Sequence, residues 1–260
     1  MAKIFPLFSG SGGNCTLIGN AKSSVLVDAG HSATSIIKKL EAHNIAISSL
    51  SGIFITHEHS DHIKGLPLLV KRTGLPVFAS LGTAKAIESI FEGLEVKVIE
   101  EAVDIGDLII KSFKTSHDSA DSCGYRIETG DGLKFAVCTD LGVVDETVRQ
   151  GILGCDALVI ESNHDVMMLQ NGPYPFDLKC RILGEKGHLS NASCAVELPA
   201  LVESGATRII LGHISRENNT PDVALACARS TLVEAGFKED YDYILRAAAP
   251  DGNEIFYVSR

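Results

Sequence analysis

Short apolar runs alternate with segments of helical periodicity along the whole chain. Runs rich in β-branched and aromatic residues, bounded by Gly, Asn and Asp, predict strands at 3–8, 15–19, 24–28, 52–56, 77–79, 96–98, 108–115, 122–128, 134–139, 157–161, 208–211, 243–246 and 254–258. Apolar positions at helical spacing predict helices at 32–43, 63–72, 83–91, 145–153, around 164–170, and at 176–183, 191–203 and 222–235. The last follows Thr220-Pro221, a helix-start signal. No linker, repeat or low-complexity tract intervenes, so a single domain over 1–260 is expected. Strand and helix mixed throughout predict an α/β or α+β arrangement, with sheet layers covered by helices.

Composition narrows the class. With 45 % hydrophobic and 22 % charged residues, disorder, collagen and coiled coil are excluded. A net charge of −10 gives the chain no overall reason to coat nucleic acid or an anionic membrane. Bound metal ions, which that count omits, can still create a local positive site. The seven Cys (15, 123, 138, 155, 180, 194 and 227) form no C-x-x-C pair and read as reduced thiols. The opening MAKIFPLFSGSGG does not read as a signal peptide, and no apolar run approaches the roughly 20 residues of a membrane span. A cytoplasmic protein that engages no membrane is expected.

Two predicted strands run into chemistry rather than ordinary turns. GIFIT leads into His57-Glu58-His59-Ser60-Asp61-His62, and RIIL leads into the GHIS that carries His213. Imidazoles and a carboxylate at H-x-H-x-D-H spacing suit zinc, manganese or iron. The bland alternative is a solvated, His-rich loop. His57 and His59 can point to one side of a turn, whereas Asp61 and His62 sit further round, which favours two ions a few Å apart. Further ligand candidates are His117, His213 and the strand-end Asp140 and Asp28. Each Asp is equally readable as a cap or turn residue. His188 in KGHLSN and His164 in ESNHD are candidates for a general acid or substrate contact, against a capping role. The SGSGGN segment brings backbone N–H groups near a phosphate or simply joins two strands.

The set HEHSDH, His117, Asp140 and His213, preceded by VLVDAG, resembles the metallo-β-lactamase superfamily over essentially the whole chain. SGSGGNC, THEHSDHIKGL, TDLG, ESNHD, NGPYPFDLKCRI, GHLSN and LGHISRENNTP narrow the likeness to its YycJ/WalJ subgroup. The resemblance implies a four-layer αβ/βα sandwich, two central mixed sheets flanked by helices. It implies His57, His59 and His117 on one ion, Asp61, His62 and His213 on a second, Asp140 between them, and Asp28 bracing the HEHSDH loop. It also implies a dinuclear hydrolase of phosphodiesters that attacks with a hydroxide held between the ions, most specifically a 5′-to-3′ DNA exonuclease.

Asp61, Asp140, His188 and His164 are the catalytic candidates on that reading. Ser11, Asn14, Tyr174, Ser215 and Asn218 are candidates to touch substrate, and two zinc or manganese ions, with iron as a further candidate, are the expected cofactors. A DNA substrate calls for a basic track, for which Lys71, Arg72, Lys179, Arg181 and Arg216 are candidates. The acidic balance keeps a small nucleotide-like or cyclic phosphodiester open as an alternative, followed by a thioester hydrolase. A non-catalytic regulatory or scaffold protein that retains the fold is the alternative outside enzymes.

Overall fold

A computed structural model describes residues 1–259. Its strands are β1 Ala2–Phe8, β2 Cys15–Gly19, β3 Ser24–Val27, β4 Leu50–Phe54, β5 Val77–Ala79, β6 Lys97–Val98, β7 Val103–Ile105, β8 Leu108–Lys114, β9 Cys123–Thr129, β10 Lys134–Cys138, β11 Ala157–Glu161, β12 Arg208–Gly212, β13 Ile244–Ala247 and β14 Phe256–Val258. The helices are α1 Ala33–Ala42, α2 Ser60–Ile63, α3 Leu66–Thr73, α4 Leu81–Ile90, α5 Glu146–Ile152, α6 Val166–Asn171, α7 Phe176–Leu183, α8 Asn191–Glu203 and α9 Pro221–Glu234. One sheet has the order β14-β1-β2-β3-β4-β5-β6 and the other β13-β12-β11-β10-β9-β8-β7. Both are mixed: β3, β4, β5 and β6 pair in parallel, as do β10 to β13, while the remaining pairs are antiparallel.

Period-two side-chain direction explains the layers. In β3, Val25 and Val27 enter the core between the sheets, while Leu26 faces the core beneath α1, α3 and α4. In β11, Ala157 and Val159 enter the same central core, while Leu158 and Ile160 face α5, α8 and α9. Strands buried on both faces read as continuous apolar runs, which is why LVIE and RIIL lack alternation. The two sheets are tied by Tyr125, a fully buried ring whose hydroxyl donates to the Ile55 carbonyl at 2.6 Å. The result is the expected four-layer sandwich.

Three details differ from the sequence reading. The strand before HEHSDH ends at Phe54, not Thr56, because the Thr56 N–H turns to the Asp28 carboxylate at 2.8 Å. The helix expected at 63–72 is two pieces, α2 and α3, broken at Gly65. There the Gly65 N–H bonds the Ala29 carbonyl, and a Cβ would lie 2.0 Å from the His31 carbonyl. Strand β7 was not expected: three residues with a central Asp carry too little pattern, and it gains strand form by pairing with β8.

Candidate metal centre and active site

The site is built from residues just beyond strand ends. Asp28 follows β3, Asp140 follows β10 by one residue, and His213 follows β12; all three adopt left-handed backbone, with φ of 65°, 59° and 51°. Non-glycine residues seldom hold that conformation, and it clusters where a fold aims functional side chains. The HEHSDH segment crosses from β4 into the single turn of α2, with the His62 N–H closing on the His59 carbonyl. Its path is fixed by Gly30, where a Cβ would collide with the Asp61 carbonyl at 1.6 Å. The Asn14 N–H donates to that same carbonyl at 2.7 Å.

Donor atoms converge in overlapping sets within 4.8 Å: His57, His59 and His117; Asp61, His62 and His213; His57, His62 and Asp140; and Asp140, Glu161, His188 and His213. Asp140 Oδ2 lies 3.2 Å from His62 Nε2, and its Oδ1 lies 4.0 Å from His117 Nε2 and 3.5 Å from His213 Nδ1. It therefore stands between the first two sets.

The far nitrogen of four of the rings is already engaged. His57 Nδ1 is 3.1 Å from Thr56 Oγ1, and His62 Nδ1 is 2.8 Å from Asp28 Oδ2. His117 Nδ1 is 3.1 Å from the Gly187 carbonyl, and His213 Nδ1 is 2.7 Å from Glu161 Oε1. Each ring thus turns Nε2 towards the centre, where His62 Nε2 meets Asn14 Nδ2 at 3.0 Å and His117 Nε2 meets His59 Nδ1 at 3.3 Å. This is the arrangement by which proteins hold metal-binding imidazoles in one tautomer and orientation. His57 Nε2, His213 Nε2 and Asp140 Oδ2 are buried and have no hydrogen-bond partner. Buried polar atoms are rarely left so, and a nitrogen–oxygen set of this kind suits divalent cations.

The electrostatics agree. Burial disfavours ionisation of Asp140, but His213 and His62 outweigh it and hold the carboxyl well below its ordinary range. Burial likewise opposes the Glu161 anion, yet His188 and His213 hold it down at about 2. His213 is raised well above its ordinary value, since Asp140, Asp61 and Glu161 outweigh its burial. His57 goes the other way, held well below by burial with His62 beside it. Ionised carboxylates among these rings favour positive charge at the centre.

A cavity of about 250 Å³ opens onto the cluster. Ser11, Tyr174, His188 and Ser215 line it, together with His59, Asp61, His117, Asp140 and His213. His164, Asn14 and Asn218 are not among its lining residues. His164 is 1 % exposed, with neither ring nitrogen hydrogen-bonded, and burial lowers its pKa. Asn14 is buried as a brace: its Oδ1 accepts from the Gly10 N–H at 2.9 Å, and its Nδ2 is 3.0 Å from His62 Nε2. Asn218 is 1 % exposed, with both side-chain polar atoms unpartnered. Asp28 is tied to His62 and Thr56 and belongs to none of the four donor sets.

Glu161 escaped the sequence reading. It is fully buried, accepts from the N–H groups of Leu141 and Leu189, and holds both His213 and His188 through Oε1. The available signal was its place at the end of ALVIE, matching Asp28 after VLV.

Residues 23–214 match the family model described as the beta-lactamase superfamily domain. The chain belongs to that superfamily. It is 37 % identical over 236 residues to the exodeoxyribonuclease YycJ of Bacillus anthracis, covering 89 % of each chain. It is 34 % identical to the exodeoxyribonuclease WalJ of Streptococcus pneumoniae, covering 94 % of this chain and 93 % of that one. Among solved structures, the metallo-β-lactamase fold protein YhfI of Bacillus subtilis aligns with a TM-score of 0.71 and 18 % identity over 98 % of both chains, a likeness of fold. The superfamily match spans β3 to just past His213, so it contains every residue of the donor sets.

Proposed function

We propose that the protein is a dinuclear metal-dependent phosphodiesterase whose substrate is DNA, degraded from a strand end in the 5′-to-3′ direction. The observation that carries this reading is the pair of donor sets on either side of Asp140, one with His57 Nε2 and the other with His213 Nε2 buried and without a hydrogen-bond partner. His57, His59 and His117 would hold one ion and Asp61, His62 and His213 the other, with Asp140 shared. Zinc and manganese both suit this nitrogen–oxygen mixture. Two divalent ions supply, when bound, electrophilic pull on phosphate oxygens and an acidified water.

The chain's own groups do the rest. Asp28, Thr56, Gly187 and Glu161 keep the rings in one orientation. Asp140 and Asp61 bring negative charge to the centre and orient what binds there. His188 spends Nδ1 on Glu161 at 2.9 Å, which leaves Nε2 to deliver a proton to the leaving oxygen. Burial would lower its pKa, but Glu161 outweighs it and keeps the ring protonated to higher pH. Arg181 lines the cavity with its guanidinium paired to Asp118, which lies beside His117. The relatives named exodeoxyribonucleases support DNA as the polymer.

The test is hydrolysis of end-labelled single- and double-stranded DNA by metal-depleted protein, restored with zinc or manganese, with Asp140→Ala in parallel. Metal-dependent release of mononucleotides, absent in the variant, is expected. Turnover of a small phosphodiester with no cleavage of DNA would move the substrate to small molecules.

A further inference from the structure

We infer that a cationic groove beside the catalytic cavity holds the sugar–phosphate backbone of a single DNA strand beyond the nucleotide being cut. The inference rests on the nuclease reading above and adds where the polymer is gripped. The groove, of about 490 Å³, lies between α1, the segment after His213 and the stretch at 250–253. Its cations are Lys38, Lys39 and Arg216, and its one carboxylate is Asp251.

Lys39 is committed, paired to Asp251 and donating to Asn253 Oδ1 at 3.0 Å. Lys38 and Arg216 are exposed and have no ion pair among the described residues. By contrast Arg149, Arg181, Arg229 and Arg246 each face a carboxylate within 4.0 Å. Three cations against one anion leave a charge of 3 − 1 = +2 in this groove, within a chain of net −10. Unneutralised cations lining a concave surface are the electrostatic requirement for holding a polyanion. The groove is not the track that the sequence suggested: of Lys71, Arg72, Lys179, Arg181 and Arg216, only Arg216 lines it.

The groove is joined to the site. Ser215 lines both the catalytic cavity and a neighbouring hollow, and Arg216 lines both that hollow and the groove. The glycine-rich loop marks the same boundary: Ser11 lines the catalytic cavity, and Gly12 passes beside Arg216. A Cβ on Gly12 would sit 3.1 Å from Arg216 Nη2, so glycine leaves the guanidinium its position. Phe8 and His31, stacked at 4.2 Å, make a firm wall of the groove.

The experiment measures binding of a hydrolysis-resistant phosphorothioate oligothymidylate to the metal-loaded protein across a salt series. Wild type, Lys38→Gln with Arg216→Gln, each single variant and Lys111→Gln on β8 are compared, after matched melting temperature and metal content establish folding. Each cation that neutralises a phosphate contributes about 0.7 to the slope of log affinity against log salt on a single strand. The double variant is expected to lose about 1.4 from that slope, each single variant about half of that, and Lys111→Gln nothing. An unchanged slope in the double variant, while the wild type still cuts DNA, would overturn the groove and leave the nuclease reading standing. Absence of both salt-dependent binding and DNA hydrolysis in the wild type would overturn the two together.

Discussion

Apart from Asp140, each sheet contributes one buried carboxylate at or just past a strand end, Asp28 in one and Glu161 in the other, and the two do the same work at different reach. Asp28, after β3, holds a single imidazole, His62, and the Thr56 that steadies His57. Glu161, at the end of β11, holds two imidazoles, His188 and His213, and two backbone N–H groups. The charge balance follows. One ring does not offset burial at Asp28, whose pKa is raised, whereas two rings outweigh burial at Glu161 and hold it at about 2. Each of the two donor sets flanking Asp140 takes two residues from the six-residue motif and one from a distant segment, His117 in the first and His213 in the second, and it is the second of these distant rings that Glu161 holds. A carboxylate that serves several distant rings is a keystone, and its loss is felt by all of them.

The largest effect belongs to the residue between the halves. Asp140→Ala is expected to lower DNA hydrolysis by on the order of 10³-fold or more and to reduce bound metal, read by turnover and elemental analysis. Glu161→Ala comes next. It strands two rings and two N–H groups, so a loss of roughly 3–5 kcal/mol in denaturant unfolding is expected, with metal affinity down about 10- to 100-fold. Asp28→Ala is expected to weaken metal to a similar degree but to cost less stability, about 2–3 kcal/mol. Equal destabilisation by the two would break the comparison.

His188→Ala sharpens the contrast, since its ring is held by Glu161 but is assigned to no ion. A loss of about 10²-fold on DNA, with a much smaller loss on a diester bearing an activated leaving group, is expected with metal content unchanged. Equal losses on both esters would remove the proton-donor role. The smallest effect lies away from the site. Burial pushes the Cys123 thiol up to about 12 and Cys155 up to about 11, while Cys180 is exposed. A thiol reagent should therefore label native protein first at Cys180, and Cys180→Ser should remove that fast phase without changing activity.

Legibility in the sequence followed contiguity. HEHSDH could be read as a metal motif because its donors are neighbours, and the apolar runs before it and before GHIS showed that both hang from buried strands. The sandwich was legible through the alternation of such runs with helical segments. Glu161 was not, because nothing local separates a carboxylate that ends a strand from an ordinary turn residue; only the fold brings His188 and His213 to it. His164 illustrates the converse. Its place in ESNHD suggested chemistry, but the backbone after Glu161 turns it into the interior, where the His164–Ser190 bridge holds it. The cationic groove was equally hidden, since Lys38-Lys39 and Arg216 are nearly 180 residues apart.

Anomalous diffraction from a crystal of the manganese- or zinc-loaded protein tests the two-ion arrangement most directly. Two peaks per chain are expected, one among His57, His59 and His117 and one among Asp61, His62 and His213, with Asp140 between them. A single peak, or a peak centred among Asp140, Glu161, His188 and His213, would contradict it.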